Sequence, residues 1–173
     1  IDTRTDEVCD SLTLGSWQPK SMVVDAHGKL WVLTDGGYYT GDESFGDNIP
    51  HLYRIDANTL EIEQEQALDA DDANVQIATN PDKTVLYIVN NDIYRMHITD
   101  AHLPVRPFIS APTDSKGNRH KLYAIGVHPQ NGEIYVADAV DYSQAGTVYR
   151  YSAKGLPIDQ FRIGINPNGF AFK

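Results

Sequence analysis

The residues of this chain that could take part in chemistry are carboxylates, histidines and loop aromatics, not a nucleophile held beside a base. Six histidines are present, His27, His51, His97, His102, His120 and His128, and none falls into the paired spacing of a zinc site. Two acidic stretches, DADDAN at 69–74 and DGGYYTGDESFGD at 35–47, could furnish oxygen ligands for calcium, although neither has EF-hand spacing. The single cysteine, Cys9, has no internal disulfide partner and no neighbouring His or Cys at ligand spacing. There is no GxSxG elbow, no GxGxxG turn and no P-loop. What stands out is a set of aromatic residues interleaved with polar groups. Trp17 lies in LGSWQPK, while Tyr38, Tyr39 and Phe45 follow Asp35 in a long polar stretch. Arg119 and His120 close SAPTDSKGNRHK, and Tyr142 stands beside Asp141, shortly after Asp138. Such rings offer flat amphipathic surfaces, the carboxylates accept hydrogen bonds and the guanidinium donates them, which suits holding a large ligand better than transforming one. Plain packing is the alternative reading of the same aromatics, with Trp17 plugging the space between structural units and Tyr38 and Tyr39 set against their own loop.

Bulk properties narrow the partners. A formal charge of -10, with 14 scattered Lys and Arg against 24 acids, argues against nucleic acid, whose binding rests on clustered basic residues. No run of residues approaches the roughly eighteen apolar positions of a membrane span. The first residues lack the basic start and apolar stretch of a signal peptide. With 173 residues, 41% of them hydrophobic, one globular unit over 1–173 is expected.

The elements that must position these residues repeat. Tyr-Arg occurs in LYRIDANT, IYRMHITD and VYRYSAKG, and alignment on that pair sets segments starting at Ile1, Ile55, Met96 and Tyr151 in register, spaced 54, 41 and 55 residues apart. Stretches such as KLWVLTD, TVLYIVNN and GEIYVADA are short, rich in Val, Ile, Tyr and Trp, and bounded by Gly, Asn and Asp, which reads as strand. No segment sustains a helical period. Each unit runs in one order: a first strand (SMVVD, VQIAT, LYAIGV), a hairpin turn (AHGK, NPDK, PQNG), a second strand, the Tyr-Arg strand, and a more polar fourth strand (LEIEQEQAL, VRPFIS, IDQFRI). Four antiparallel strands per repeat make an all-β propeller blade. Tyr53, Tyr94 and Tyr149 occupy equivalent positions, where packing between blades is their expected role. IDTRTDEV reads as the end of a third strand carrying the chain toward Cys9 on an outer strand, and NGFAFK reads as a first strand. The total is about fourteen strands, or roughly three and a half blades, against the four to eight of a closed propeller. The expectation is the C-terminal part of a longer propeller domain whose N-terminal half supplies the other blades, with a complete four-blade protein as the rival.

DTRTDEV, LGSWQPKSMVVDAHGKLWVLTDGG, HLYRIDANTLEI and YSAKGLPIDQFRIGINPNGFAF resemble the surface-layer or YncE-like seven-bladed propellers. More narrowly, they resemble the lipid-anchored propellers of gut Bacteroidetes that include surface cobalamin-binding proteins. The resemblance implies a non-enzymatic protein at the cell surface or in the periplasm, anchored to the outer membrane by an N-terminal lipid outside this segment. It would capture a cobalamin or other corrinoid and pass it to a TonB-dependent outer-membrane transporter.

Strand alternation places the loops from second to third strand, and from fourth strand to the next first strand, on one face. That face collects Trp17, Asp35, Tyr38, Tyr39, Phe45, Arg119, His120, Asp138, Asp141 and Tyr142, while the opposite face receives only short polar turns. Long aromatic loops cost ordering entropy, so their concentration marks a contact surface, with shape and polarity suited to a corrinoid or a glycan. Two alternatives stay open: a propeller lactonase or lyase with a channel metal, for which the inner strands offer mostly apolar residues plus Gln76, and a protein-interaction scaffold without a small ligand.

Overall fold

The computed structural model describes residues 1–37, 49–68 and 75–173. Among them every regular element is a strand: β1 (Pro19–Val24), β2 (Lys29–Thr34), β3 (His51–Asp56), β4 (Ile62–Ala67), β5 (Gln76–Thr79), β6 (Val85–Asn90), β7 (Asp92–His97), β8 (Leu122–Val127), β9 (Ile134–Asp138), β10 (Ala145–Tyr151) and β11 (Pro157–Ile165). They form three antiparallel sheets in simple up-and-down order, β1-β2-β3-β4, β5-β6-β7 and β8-β9-β10-β11. The first strands stand side by side, with β1 packed on β5 and β5 on β8.

The hairpins form where the turn chemistry places them. Asp25 accepts the backbone N–H groups of His27 and Lys29 at 2.8 and 2.9 Å, and Asn80 accepts those of Thr84 and Val85 at 2.8 and 2.9 Å. These are side chains substituting for backbone acceptors in a tight turn. Gly28 and Gly132 supply the left-handed position at φ of 75° and 70°, and Lys83 occupies it in the middle hairpin at 56°.

The apolar residues meet between sheets. Trp31, Leu33 and Leu52 of the first sheet pack with Ile77, Leu86, Ile88 and Met96 of the second. On its other face the second sheet sets Tyr87, Val89 and Ile93 against Ile125, Val136 and Tyr149 of the third. Alternation along each strand sends Tyr53, Tyr94 and Tyr149 to the same side of their sheets, opposite Val32, Ile88 and Val136 respectively. The adjoining arginines turn the other way. Arg54 lies over the Trp31 ring at 5.7 Å, Arg95 over Phe108 at 4.1 Å, and Arg150 pairs with Glu133 and Asp159 at 3.5 and 3.4 Å. The repeated dipeptide thus serves both faces of one sheet: Tyr149 packs in the core shared by the second and third sheets, while Tyr53 packs with Val32 and Ile55 of its own sheet.

Three expected strands are absent. VRPFIS makes a single bridge, Ile109 to Ile93, because Pro104 and Pro107 lack the N–H groups a ladder requires. IDTRTDEV closes on itself, with Asp2 and Glu7 bridged and the Asp6 N–H bonded to the Asp2 carbonyl at 2.8 Å; Cys9, expected on an outer strand, follows this turn outside any strand and is exposed. NGFAFK forms no ladder but lies across the third sheet, Phe170 and Phe172 meeting the Tyr135 ring at 6.0 and 5.3 Å.

That tail depends on two glycines. A Cβ at Gly126 would stand 2.8 Å from the Phe170 Cβ, and one at Gly146 would stand 2.8 Å from the Pro167 ring as well as 2.6 Å from the Asp138 carbonyl oxygen of β9. Gly126→Val is expected to displace the tail and cost about 1–3 kcal/mol, the usual penalty of overpacking. Thermal melting with limited proteolysis at the C-terminus checks it; an unchanged melt with a protected tail would contradict the placement.

Candidate ligand-binding face

The ends of β2, β6 and β9 and the starts of β1, β3, β7, β8 and β10 gather the groups of interest. In the first sheet the loop entering β1 is stitched to the loop leaving β2. The Asp35 N–H donates to the Gln18 carbonyl at 3.1 Å and the Gly36 N–H to the Trp17 carbonyl at 3.2 Å. Buried Ser16 donates to the Ile49 carbonyl at 2.5 Å and accepts from Thr34 Oγ1 at 2.8 Å. Asp35 is buried, pairs with Lys20 at 3.3 Å and accepts the Gly37 N–H at 2.9 Å, so part of its acceptor capacity is used locally. Trp17 is half-buried and, with Leu12, Leu14 and Pro19, lines an apolar cavity of about 370 Å³, a volume in the range of small-molecule pockets.

A denser polar group joins the second and third sheets. Asp92, buried at the start of β7, accepts the Ala111 N–H at 2.7 Å and forms a short ion pair with Arg119, whose side chain is 53% exposed. The carboxylate raises the guanidinium pKa further above its ordinary value, chiefly by hydrogen bonding. Next to it, His120 Nδ1 lies 2.5 Å from Asp138 Oδ2 and 3.2 Å from the Tyr149 hydroxyl. Asp138 is 1% exposed and also accepts the Val140 N–H at 2.8 Å. A carboxylate fastened to one ring nitrogen fixes the imidazole's orientation. An imidazole held between a buried carboxylate and a phenol in this way can bind and orient a polar group.

Asp141 builds the adjoining loop by accepting from the N–H and Oγ of Ser143 and from the N–H and Nε2 of Gln144, at 2.7 to 3.0 Å. These donors, the Gln144 side chain foremost, hold its carboxyl far below the usual carboxylate range. The loop presents Tyr142 at a φ of 62°, 45% exposed, edge-on to Tyr123 at 5.4 Å.

The arrangement therefore links Trp17 with Asp35 in the first sheet, and sets Arg119 and His120 together with Asp138 and the Tyr142 loop around the third. Tyr38, Tyr39 and Phe45 lie outside the described residues, as do DADDAN and most of the other acidic stretch considered for calcium. Among the described residues no three His, Cys, Asp or Glu side chains form a group able to hold a metal ion. Asp92, Tyr123 and Tyr149 were not anticipated as partners here. A signal for Tyr149 existed in its place in the repeat, because Tyr53 makes a similar contact, its hydroxyl 3.1 Å from His51 Nδ1, with Glu65 at 2.8 Å from that nitrogen.

No family model and no curated protein matches this sequence. Among solved structures, a quinonprotein alcohol dehydrogenase-like protein from Bacteroides thetaiotaomicron superposes with a TM-score of 0.61 at 19% identity. The match covers 84% of this chain and 34% of that one. These sheets are β-propeller blades. The likeness is one of fold, and the chain spans about a third of the length of the structure it matches. In propeller terms β1, β5 and β8 are the inner strands of successive blades, and the Asp92–Arg119 pair ties the second blade to the third.

Blade contacts also set a pH limit. Burial, with the nearby Asp138 charge second, pushes the Tyr149 phenol up to about 12; burial likewise raises Tyr87 and Tyr151 in the same core. A raised folded-state pKa stabilises the fold fully below the ordinary phenol value and loses that contribution as pH rises toward the folded value. The urea midpoint is therefore expected to stay level up to about pH 9 and to fall above about pH 10, less steeply in Tyr149→Phe. A midpoint that ignores phenol ionisation, followed by absorbance, would refute this.

Proposed function

We propose that this propeller is a non-enzymatic binding protein whose loop face captures a small nutrient, a corrinoid such as cobalamin by the sequence resemblance. On this reading the chain is the C-terminal part of a longer YncE-like surface lipoprotein. The remaining blades come from its N-terminal half, an N-terminal lipid anchors it to the outer membrane, and a TonB-dependent transporter receives the ligand. The observation that carries the proposal is the asymmetry between the two ends of the blades. One end holds half-buried Trp17, exposed Tyr142, the exposed guanidinium of Arg119 and the fastened His120; the other carries short turns anchored by Asp25, Asp56 and Asn80. Aromatic surfaces beside a few oriented polar groups suit a large, mostly neutral ring system.

Calorimetry and visible absorbance with cyanocobalamin on the protein with all its blades test the proposal. Binding is expected, and Trp17→Ala, Arg119→Ala and Tyr142→Ala are each expected to weaken it about tenfold if they are central contacts. No heat and no spectral change would remove the corrinoid.

A further inference from the structure

Asn-Gly occurs twice in the chain, as Asn131–Gly132 in the third hairpin and as Asn168–Gly169 in the C-terminal tail. In this dipeptide a backbone nitrogen attacks the preceding side-chain amide more readily than in any other, because glycine has no Cβ to obstruct its own N–H and turns freely in φ and ψ. The fold treats the two pairs differently.

Gly132 is buried, holds the left-handed position at a φ of 70°, and donates its N–H to the His128 carbonyl at 3.0 Å. Asn131 Oδ1 accepts the Glu133 N–H at 3.0 Å. The attacking nitrogen and the carbonyl under attack are thus both fixed in the turn, and reaction there requires the hairpin to open. Asn168 and Gly169 are exposed and lie outside any strand. Among the described residues the Gly169 N–H donates no hydrogen bond, and a Cβ built on Gly169 would meet nothing within 4 Å. The Asn168 amide is held by one long contact, Gln76 Nε2 donating to Oδ1 at 3.3 Å.

We propose that Asn168 is a site of spontaneous succinimide formation, and that its isoaspartyl product releases the C-terminal tail from the third blade. The Gly169 nitrogen loses its proton to hydroxide and bonds to Asn168 Cγ, the Cγ–Nδ2 bond breaks, and ammonia leaves. Water then opens the five-membered ring at either carbonyl, giving aspartate or isoaspartate with no change in oxidation state. Aspartate keeps the main chain as it was and still accepts from Gln76. Isoaspartate routes the main chain through the side chain and inserts about 1.5 Å of extra bond between residues 168 and 169. The tail has no slack for that insertion. Phe170 lies so close over Gly126 that an added Cβ there would stand 2.8 Å away, Phe170 closes over Ala124, Ala137 and Val148, and Phe172 meets the Tyr135 ring at 5.3 Å. A shift along the strand takes both rings out of these seats. The chemistry needs no ligand and does not rest on the loop-face reading.

The test ages the full chain in mildly alkaline buffer and maps its tryptic peptides by mass spectrometry. Cleavage after Lys121, Arg150 and Arg162 places Asn131 in the peptide 122–150 and Asn168 in the peptide 163–173. In the folded protein Asn168 is expected to convert at least about tenfold faster than Asn131, and in concentrated urea, where neither environment persists, the two rates are expected to converge. Gly169→Ala is expected to slow Asn168 about tenfold with the melting temperature unchanged. The isoaspartyl fraction is expected to lose its C-terminal residues to carboxypeptidase sooner than fresh protein, while Asn168→Asp keeps them protected. The proposal is overturned if Asn131 converts as fast as Asn168 in the folded protein, if the isoaspartyl form keeps its tail, or if Asn168→Asp loses the tail as readily, which would make charge and not chain length the cause.

Discussion

Trp31→Ala is expected to remove about 4 kcal/mol of stability, the largest single loss in this fold. The side chain is fully buried in the core shared by the first and second blades. Its indole N–H donates to Asp25 Oδ2 at 2.9 Å, and the Arg54 guanidinium lies over its ring. Truncation opens a cavity bounded by two sheets whose strands are fixed by their ladders, so little collapse can offset the lost contacts. Urea unfolding should show a lower midpoint with an unchanged slope. A loss below about 1 kcal/mol would mean that the two blades do not share this core.

Asp25→Ala comes next, at about 3 kcal/mol, because one carboxylate satisfies three donors at once. Asp25 is 3% exposed and accepts the N–H groups of His27 and Lys29 as well as the Trp31 indole. Its loss leaves a turn without its acceptor and a buried indole N–H without a partner. Asp25→Asn keeps the turn bonds through its amide oxygen and should recover part of the loss. A double-mutant cycle with Trp31→Phe isolates the indole bond, and a coupling of about 1 kcal/mol or more is expected. Strict additivity would show that the turn, not the indole contact, explains the effect.

The fold was legible wherever local chemistry repeats. Asp25 and Asn80 announce hairpins because their side chains cap the turn themselves, and the alternation around Trp31, Leu86 and Val136 gives each second strand its two faces. The fourth strand of the middle unit misled because apolar content in VRPFIS outweighed Pro107 within it and Pro104 just before it, neither of which can donate. The polar cluster was only partly legible. Arg119, His120 and Asp138 could be placed on one face by strand direction, but their pairing could not: Asp138 lies 18 residues from His120, Tyr149 lies 29 and Asp92 lies 27 from Arg119. Contacts over such separations are set by sheet register and by neighbouring blades, which no local window contains.

Since the two largest apolar layers lie between sheets and not inside one, a blade taken alone keeps little interior. Its strands could pair, yet both faces would stand in water. The smallest independently stable piece is therefore a neighbouring pair, and loss of packing at one boundary strips a wall from the sheet on either side. Such a chain gains or sheds whole repeats in evolution more readily than single strands, because only a whole repeat preserves the alternation of tyrosine-facing and arginine-facing surfaces that every junction needs.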